Sequence, residues 1–307
     1  MPKFSVQKSI TIDAPPEAVF EALSNFKSWP KWSPWVIIEP DCALTFSEDG
    51  ESYAWDGKII ESGSMRKTSS TAPSQLNLAL EFVRPWKSKA DVQFEMTPEG
   101  DGANVTWSMN SALPFFLFWM KPMMIRLIGM DYDRGLAMLK DLIESGHVPS
   151  TLTFKSNQKV SACNYIGIQT DCSMDEMGPK MEKDMATLCA FLEEQSLTPS
   201  DKPFTLYSKW NLIKGSAQYI TAFPLDSIPA ELPAGIISGA RPECTTYCVE
   251  HRGPYRHLAN AWSAAMMHQR GKVFASSKQS VPFEIYENSP HDTDENDLVT
   301  AIHLTSK

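Results

Sequence analysis

Pro203-Phe204-Thr205-Leu206-Tyr207 and Pro282-Phe283-Glu284-Ile285-Tyr286 lie 79 residues apart and follow one plan. Side chains along a strand alternate between faces, so Glu284 and Tyr286 share one face while Phe283 and Ile285 share the other. The two copies differ in one way that matters chemically: where the first has Thr205, the second has Glu284. A duplicated strand with one new carboxylate predicts a pseudo-symmetric cup around a single charged group, suited to a small polar or cationic molecule. Phe283 and Ile285, being apolar, are expected to meet helices. Glu284 and Tyr286 then face an opposite, concave side, with Tyr207 in the equivalent place of the first copy.

Working outward, the repeat extends over the second half of the chain. A strand at 159–168, a helix at 174–194, the segment 203–210 and a strand at 217–223 form a first pass. A strand at 243–251, a helix at 255–270, the segment 282–287 and a strand at 298–304 form a second. Each pass reads strand, helix, strand, strand. Between strand and helix of the second pass, Arg252-Gly253-Pro254-Tyr255 makes a tight entry that presents Tyr255 near the helix start. His251, His257 and His268 share no metal-site spacing and are expected at the surface or at helix ends.

The first half has a different grammar. Phe4, Val6, Ile10 and Ile12 alternate with polar residues, and only Lys8 breaks the apolar face, which predicts a half-buried strand. Asp13-Ala14-Pro15-Pro16-Glu17 opens a helix with Asp13 as its expected cap. Leu76, Leu78, Leu80 and Phe82, then Val92, Phe94 and Met96, then Val105, Trp107 and Met109 predict further strands, with turns at Arg84-Pro85 and 98–102. A long helix is expected over 131–145, ended by Gly146. The apolar run Ala112–Met130 is broken by Lys121, Pro122 and Arg126 well short of the ~20 residues that a membrane span needs. It is read as a buried or lid-like segment, with exposed aromatics beside basic residues as its membrane-contacting alternative.

Ile12-Asp13-Ala14-Pro15, Trp29-Pro30-Lys31-Trp32-Ser33-Pro34-Trp35 and Val105-Thr106-Trp107-Ser108-Met109 carry a resemblance. On these strings residues 1–148 resemble the polyketide cyclase/dehydrase-like branch of the START-related superfamily. The resemblance implies a helix-grip fold with a cavity between sheet and long helix for a lipid-like or aromatic ligand, with Trp107 and Trp55 as candidate contacts. Trp29, Trp32 and Trp35 read as a plug at one end of the core or as a ligand-contacting rim. Such folds host binders and enzymes alike. No histidine precedes His147, which favours binding over acid–base catalysis in this half.

Gly253-Pro254-Tyr255, Pro282–Tyr286 and the loop 226–233 carry a second resemblance, over residues 152–307, to GyrI-like small-molecule-binding domains. It implies an aromatic-lined groove between the repeats in which Glu284 contacts lipophilic cations or other drug-like molecules. Tyr286, Tyr207, Trp210, Tyr219 and Tyr255 are the candidate companions, and Trp262 reads as core. The expected class is therefore α+β: a helix-grip domain at 1–148 and a duplicated βαββ effector-binding domain at 152–307.

Bulk properties exclude several functions. The net charge of −9 is spread over both halves, with 14 basic and 19 acidic residues in 1–150. Neither half offers a basic face for direct nucleic-acid binding, and no DNA-reading motif is present. Six cysteines without a CxxC pair read as reduced thiols of a cytoplasmic protein, and the N-terminal residues run straight into a strand pattern without a leader. No cofactor, metal or stable membrane insertion is expected. The leading expectation is a two-domain small-molecule-binding protein that senses or sequesters a hydrophobic, cationic or xenobiotic ligand. One alternative is a hydrolase of reactive xenobiotics, with Glu284 and Tyr286 as its catalytic pair. A protein-level inhibitor with a partner protein, such as a gyrase antagonist, is the other.

Overall fold

In the computed structural model, which describes residues 3–84 and 86–307, the chain divides into two units at 149/150. Each unit is built on its own antiparallel sheet. Met1, Pro2 and the proline of the expected Arg84-Pro85 turn lie outside the described residues.

The first unit runs β1 (Lys3–Ile12), α1 (Pro16–Ser24), β2 (Ala43–Phe46), β3 (Ser52–Asp56), β4 (Ser62–Thr71), β5 (Gln75–Phe82), β6 (Ser88–Glu99), β7 (Gly102–Ala112) and α2 (Lys121–Ser145). Its sheet has the order β1-β7-β6-β5-β4-β3-β2. The alternating apolar residues of β1, β5, β6 and β7 point into one core beneath the helices. Lys8, the break in the pattern of β1, reaches Asp133 of α2 at 2.6 Å, so the helix supplies its partner.

Three expectations need correction here. Asp13 does not cap α1: the helix begins at Pro16 with no side-chain cap, and the Asp13 N–H donates to Glu144 at 2.6 Å. The long helix starts at Lys121, because Pro122 occupies its first turn, where the missing N–H costs no helical hydrogen bond. The run Phe115–Met120 is a 3-10 turn with no fully buried side chain, and half-buried Leu117 packs against the core.

The second unit runs β8 (Thr151–Val160), β9 (Cys163–Ser173), α3 (Met177–Glu194), β10 (Phe204–Asn211), β11 (Ser216–Pro224), β12 (Ile237–Arg241), β13 (Cys244–Arg252), α4 (Ala259–Arg270), β14 (Phe283–Tyr286) and β15 (Val299–Thr305). The strand expected at 159–168 is thus the end of one strand and the start of the next. The sheet order, β12-β9-β11-β10-β14-β15-β13-β8, reads the same from both ends once the two passes are equated. At its centre Phe204 pairs with Ile285, Thr205 with Glu284, and Leu206 with Phe283. Exchanging the repeats maps the first pair onto the third and returns the middle pair to itself. A local pseudo-twofold axis therefore passes between Thr205 and Glu284.

The face assignment of β14 also needs correction. The helices cover the Glu284 and Tyr286 face: Met177 and Met181 of α3 and Trp262 of α4 pack with Tyr207 and Tyr219. Phe283 faces the other way, into a cluster with Phe204, Leu206, Tyr165 and Cys244. Polar side chains on the helix face find hydrogen-bond partners there, while the apolar ones make a core of their own. His251, His257 and His268 are buried rather than at the surface. Four of the six free cysteines are buried as well.

Candidate functional site

Because β10 and β14 pair at the axis, Tyr207 and Tyr286, two residues beyond the Thr205–Glu284 pair on their own strands, converge on one point. Tyr207 donates its hydroxyl to Glu284 Oε1 at 2.8 Å, and Tyr286 donates to the same oxygen at 2.6 Å. Trp262 of α4 donates its indole N–H to Oε2 at 2.7 Å. Tyr286 spends its single proton on the carboxylate, so Thr205 Oγ1, 3.0 Å away, donates to the phenol oxygen. The symmetric mates of the repeat thus form one chain from Thr205 through Tyr286 to Glu284.

Glu284 is 1% exposed. Burial pushes its carboxyl above the usual carboxylate range, and the hydrogen bonds from Tyr286, Trp262 and Tyr207 pull it back. Burial, and then the nearby carboxylate charge, hold the phenols of Tyr207 and Tyr286 well above their ordinary range. Among the described residues no lysine, arginine or histidine pairs with Glu284. The carboxylate is held by neutral donors alone.

Rings enclose it. Tyr207 meets Trp262 edge-on at 4.7 Å between centroids and Trp210 at 5.4 Å, and Trp210 lies 5.8 Å from Trp262. Tyr255 stands edge-on to Tyr286 at 6.2 Å and is 40% exposed, so it forms the outer rim. Its place depends on Gly253, whose φ of 134° lies in the region that side-chain-bearing residues avoid. Tyr219 is buried one strand away and donates to Asp184 of α3 at 3.0 Å, an oxygen that also accepts from Thr170. Glu284, Tyr286, Tyr207, Trp210 and Tyr255 are therefore brought together, and Tyr219 sits behind them.

Sequence reasoning missed Trp262 and Asp184. Trp262 lies seven residues after Tyr255, the spacing that returns a helix to the same face, and that was the available signal. Asp184 gave none.

On the opposite face of the same strand pair, the Arg241 guanidinium sits over the rings of Phe204 and Phe283 at 4.5 and 4.9 Å. These two rings are equivalent in the repeat. Arg241 is 5% exposed and donates to the Ser161 carbonyl at 3.3 Å.

In the first unit, Trp107 is 1% exposed and stacks on Tyr132 at 3.8 Å and on Phe94 at 4.9 Å. The space between sheet and α2 at this level is filled by protein. Trp29 and Trp32 are buried in the same aromatic cluster, whereas Trp35 is half-buried and donates to Asp131 at 3.2 Å. Trp55 packs on Tyr53 and Phe82. A depression of about 540 Å³ opens elsewhere, lined by Phe20, Phe26, Phe46 and Lys67 among others, and neither Trp107 nor Trp55 borders it. Among the described residues no group of His, Cys, Asp and Glu side chains is placed to hold a metal ion, and no helix is long and apolar enough to cross a membrane.

The comparisons with known proteins follow the same division. Residues 3–144 match the family described as polyketide cyclase/dehydrase and lipid transport, and residues 158–305 match the GyrI-like small molecule binding domain. A search of curated proteins found no match. Among solved structures, the chain is similar to EcmrR in a complex with DNA, at 17% identity over 60% of this chain and 68% of that one, with a TM-score of 0.43. It is similar to SAV2435 bound to tetraphenylphosphonium at 13% identity over 51% and 93% of the two chains, with a TM-score of 0.40. The Aha1 dimer from Colwellia psychrerythraea is similar at 16% identity over 47% and 98%, with a TM-score of 0.35. The chain thus matches a polyketide cyclase/dehydrase and lipid transport family over one segment and a GyrI-like small molecule binding domain over the other, matches that support a ligand-binding protein.

Proposed function

We propose that the 150–307 unit binds a small lipophilic cation, seated against Glu284 among the rings of Tyr207, Tyr286, Trp210, Trp262 and Tyr255. The observation that carries this reading is a buried carboxylate with three hydrogen-bond donors and, among the described residues, no countercharge. Burying a charge costs several kcal/mol. Hydrogen bonds to a charged group return about 1.5–3 kcal/mol each, which roughly offsets that cost without rewarding the ionised form. A bound cation supplies the missing attraction, and each ring face adds about 0.5–2 kcal/mol for a delocalised charge. Arg241 supports the reading from within the molecule, since it is a cation already held over the paired rings of the opposite face. Entry requires the surrounding rings to part, because the carboxylate is closed over in this structure.

Hydrolysis of a reactive small molecule is the second reading. It is favoured by the meeting of two phenols on one carboxylate oxygen, with Glu284 as base or nucleophile. The same phenols have pKa values far above neutrality, which makes them weak proton donors, so binding is the better-supported function. Titration of a cationic rhodamine dye tests the proposal. Glu284→Gln keeps the shape and removes the charge, and dye affinity should fall by roughly tenfold or more. Unchanged affinity would remove Glu284 from the site, and turnover of reactive esters or epoxides by the purified chain would favour the hydrolase.

A further inference from the structure

The turn Phe115–Met120 joins β7 to α2 and leaves its rings in solvent. Phe115, Phe116, Phe118 and Trp119 are 77, 73, 59 and 64% exposed. Single exposed apolar residues are ordinary on protein surfaces, but four aromatic rings in one turn form a contiguous patch of the kind that marks an interaction surface. Half-buried Leu117 packs against the core and anchors the turn, and Pro114 and Pro122 stiffen its two ends. The turn is therefore a fixed projection and not a frayed loop. Its one polar side-chain group, the Trp119 indole N–H, donates to the Phe116 carbonyl at 3.2 Å. Entry into an apolar layer would leave that donor paired and carry no desolvation penalty for it.

A shallow depression of about 310 Å³ adjoins the start of α2, lined by Lys3 and Lys121 together with Phe4, Asn110 and Ile125. Lys8, on the same strand as Lys3, is paired with Asp133. Among the described residues Lys3 and Lys121 have no ion-pair partner. Lys121 directly follows the aromatic turn and Lys3 pairs across the sheet with Ala112, three residues before it, so two unpaired ammonium groups adjoin the turn.

We propose that this turn docks the first unit onto an anionic lipid surface, with the rings in the interfacial layer and Lys3 and Lys121 against headgroup phosphates. Aromatic rings and lysines suit the two sides of that boundary, the rings at headgroup level and the ammonium groups in the wet layer. The overall charge of −9 opposes approach from a distance. Screening confines that repulsion to about 8 Å at physiological ionic strength, so the local lysines govern contact. A second copy of the chain fits less well. An isologous interface sets the same patch against itself, and would bring the unpaired lysines of both copies together.

Vesicle flotation of the full-length chain tests the proposal, using phosphatidylcholine alone and phosphatidylcholine mixed with phosphatidylglycerol. The chain should float with the mixed vesicles, and Phe116→Ser with Trp119→Ser should reduce flotation by roughly tenfold. Both substituted side chains are exposed, so circular dichroism and the unfolding midpoint should stay unchanged. Lys121→Gln should bring flotation on mixed vesicles down towards the level on phosphatidylcholine. No flotation of the unsubstituted chain, or flotation indifferent to these substitutions, overturns the proposal. So does a dimer in solution that the double substitution dissociates, which would assign the patch to a second copy.

Discussion

At Glu284, burial and hydrogen bonding pull the carboxyl in opposite directions, and burial prevails. A group whose folded pKa is raised contributes stability that is fully present below its ordinary value and is lost as pH rises through the folded value. Ionising this carboxyl in the free protein is therefore a burden. The stability of Glu284→Gln relative to the unsubstituted chain, read as the thermal unfolding midpoint, should therefore improve as pH rises through the folded value, while cation binding weakens. The pH dependence of binding follows from the same displacement. Only the ionised form attracts a cation, so dye affinity should climb with pH through the raised pKa and level off above it. Calorimetric titration in buffers of different ionisation enthalpy should detect proton release on binding below that plateau. Affinity that does not change with pH would contradict the assignment.

Among the elements, α2 lies tight against the Trp107 ring at Gly135. A β-carbon there would lie 2.8 Å from the Trp107 ring and 3.1 Å from Pro34. Trp107 cannot yield easily, because it is stacked between Phe94 and Tyr132. Alanine favours an exposed helix by about 1 kcal/mol over glycine. Here Gly135→Ala should instead destabilise the first unit by about 1–3 kcal/mol, measured by denaturant unfolding. Strands β5, β6 and β7 were legible in the sequence because each buries one face and so alternates. β4 was not, since Ser62–Thr71 carries Met65 as its one large apolar side chain. The boundary between β8 and β9 was hidden because Ser161-Ala162 contains neither glycine nor proline. Period two showed that Glu284 and Tyr286 share a face, and the repeat singled out Tyr207. Alternation alone does not say which layer covers a face, so the helices were expected on the wrong side. Trp262 reaches Glu284 from another element, a contact that local pattern does not encode.

Across the whole molecule the two units differ in how they should respond to acid. The second buries His251 and His303, whose pKa values fall to about 4, chiefly through burial. A histidine with a depressed folded pKa gives stability that is present above its ordinary value near 6.5 and is lost as pH falls towards 4. Each accounts for on the order of 3 kcal/mol over that window. The first unit has no histidine before His147. Amide exchange on the full chain, corrected for intrinsic rates, should therefore show β13 and β15 losing protection between pH 6.5 and 4 before β5–β7 do. Equal loss in both units would contradict this.

The self-paired register at Thr205 and Glu284 has a consequence for how such a site can come into being. In an assembly of two identical single-repeat chains, whatever stands at that position meets its own copy across the axis. A glutamate would face a glutamate, and two buried carboxylates side by side resist joint ionisation. Fusing the repeats in one chain frees the two positions to differ, so that one keeps a hydroxyl and the other takes a lone negative charge. Covalent linkage is what permits an odd number of charges on an axis of even symmetry.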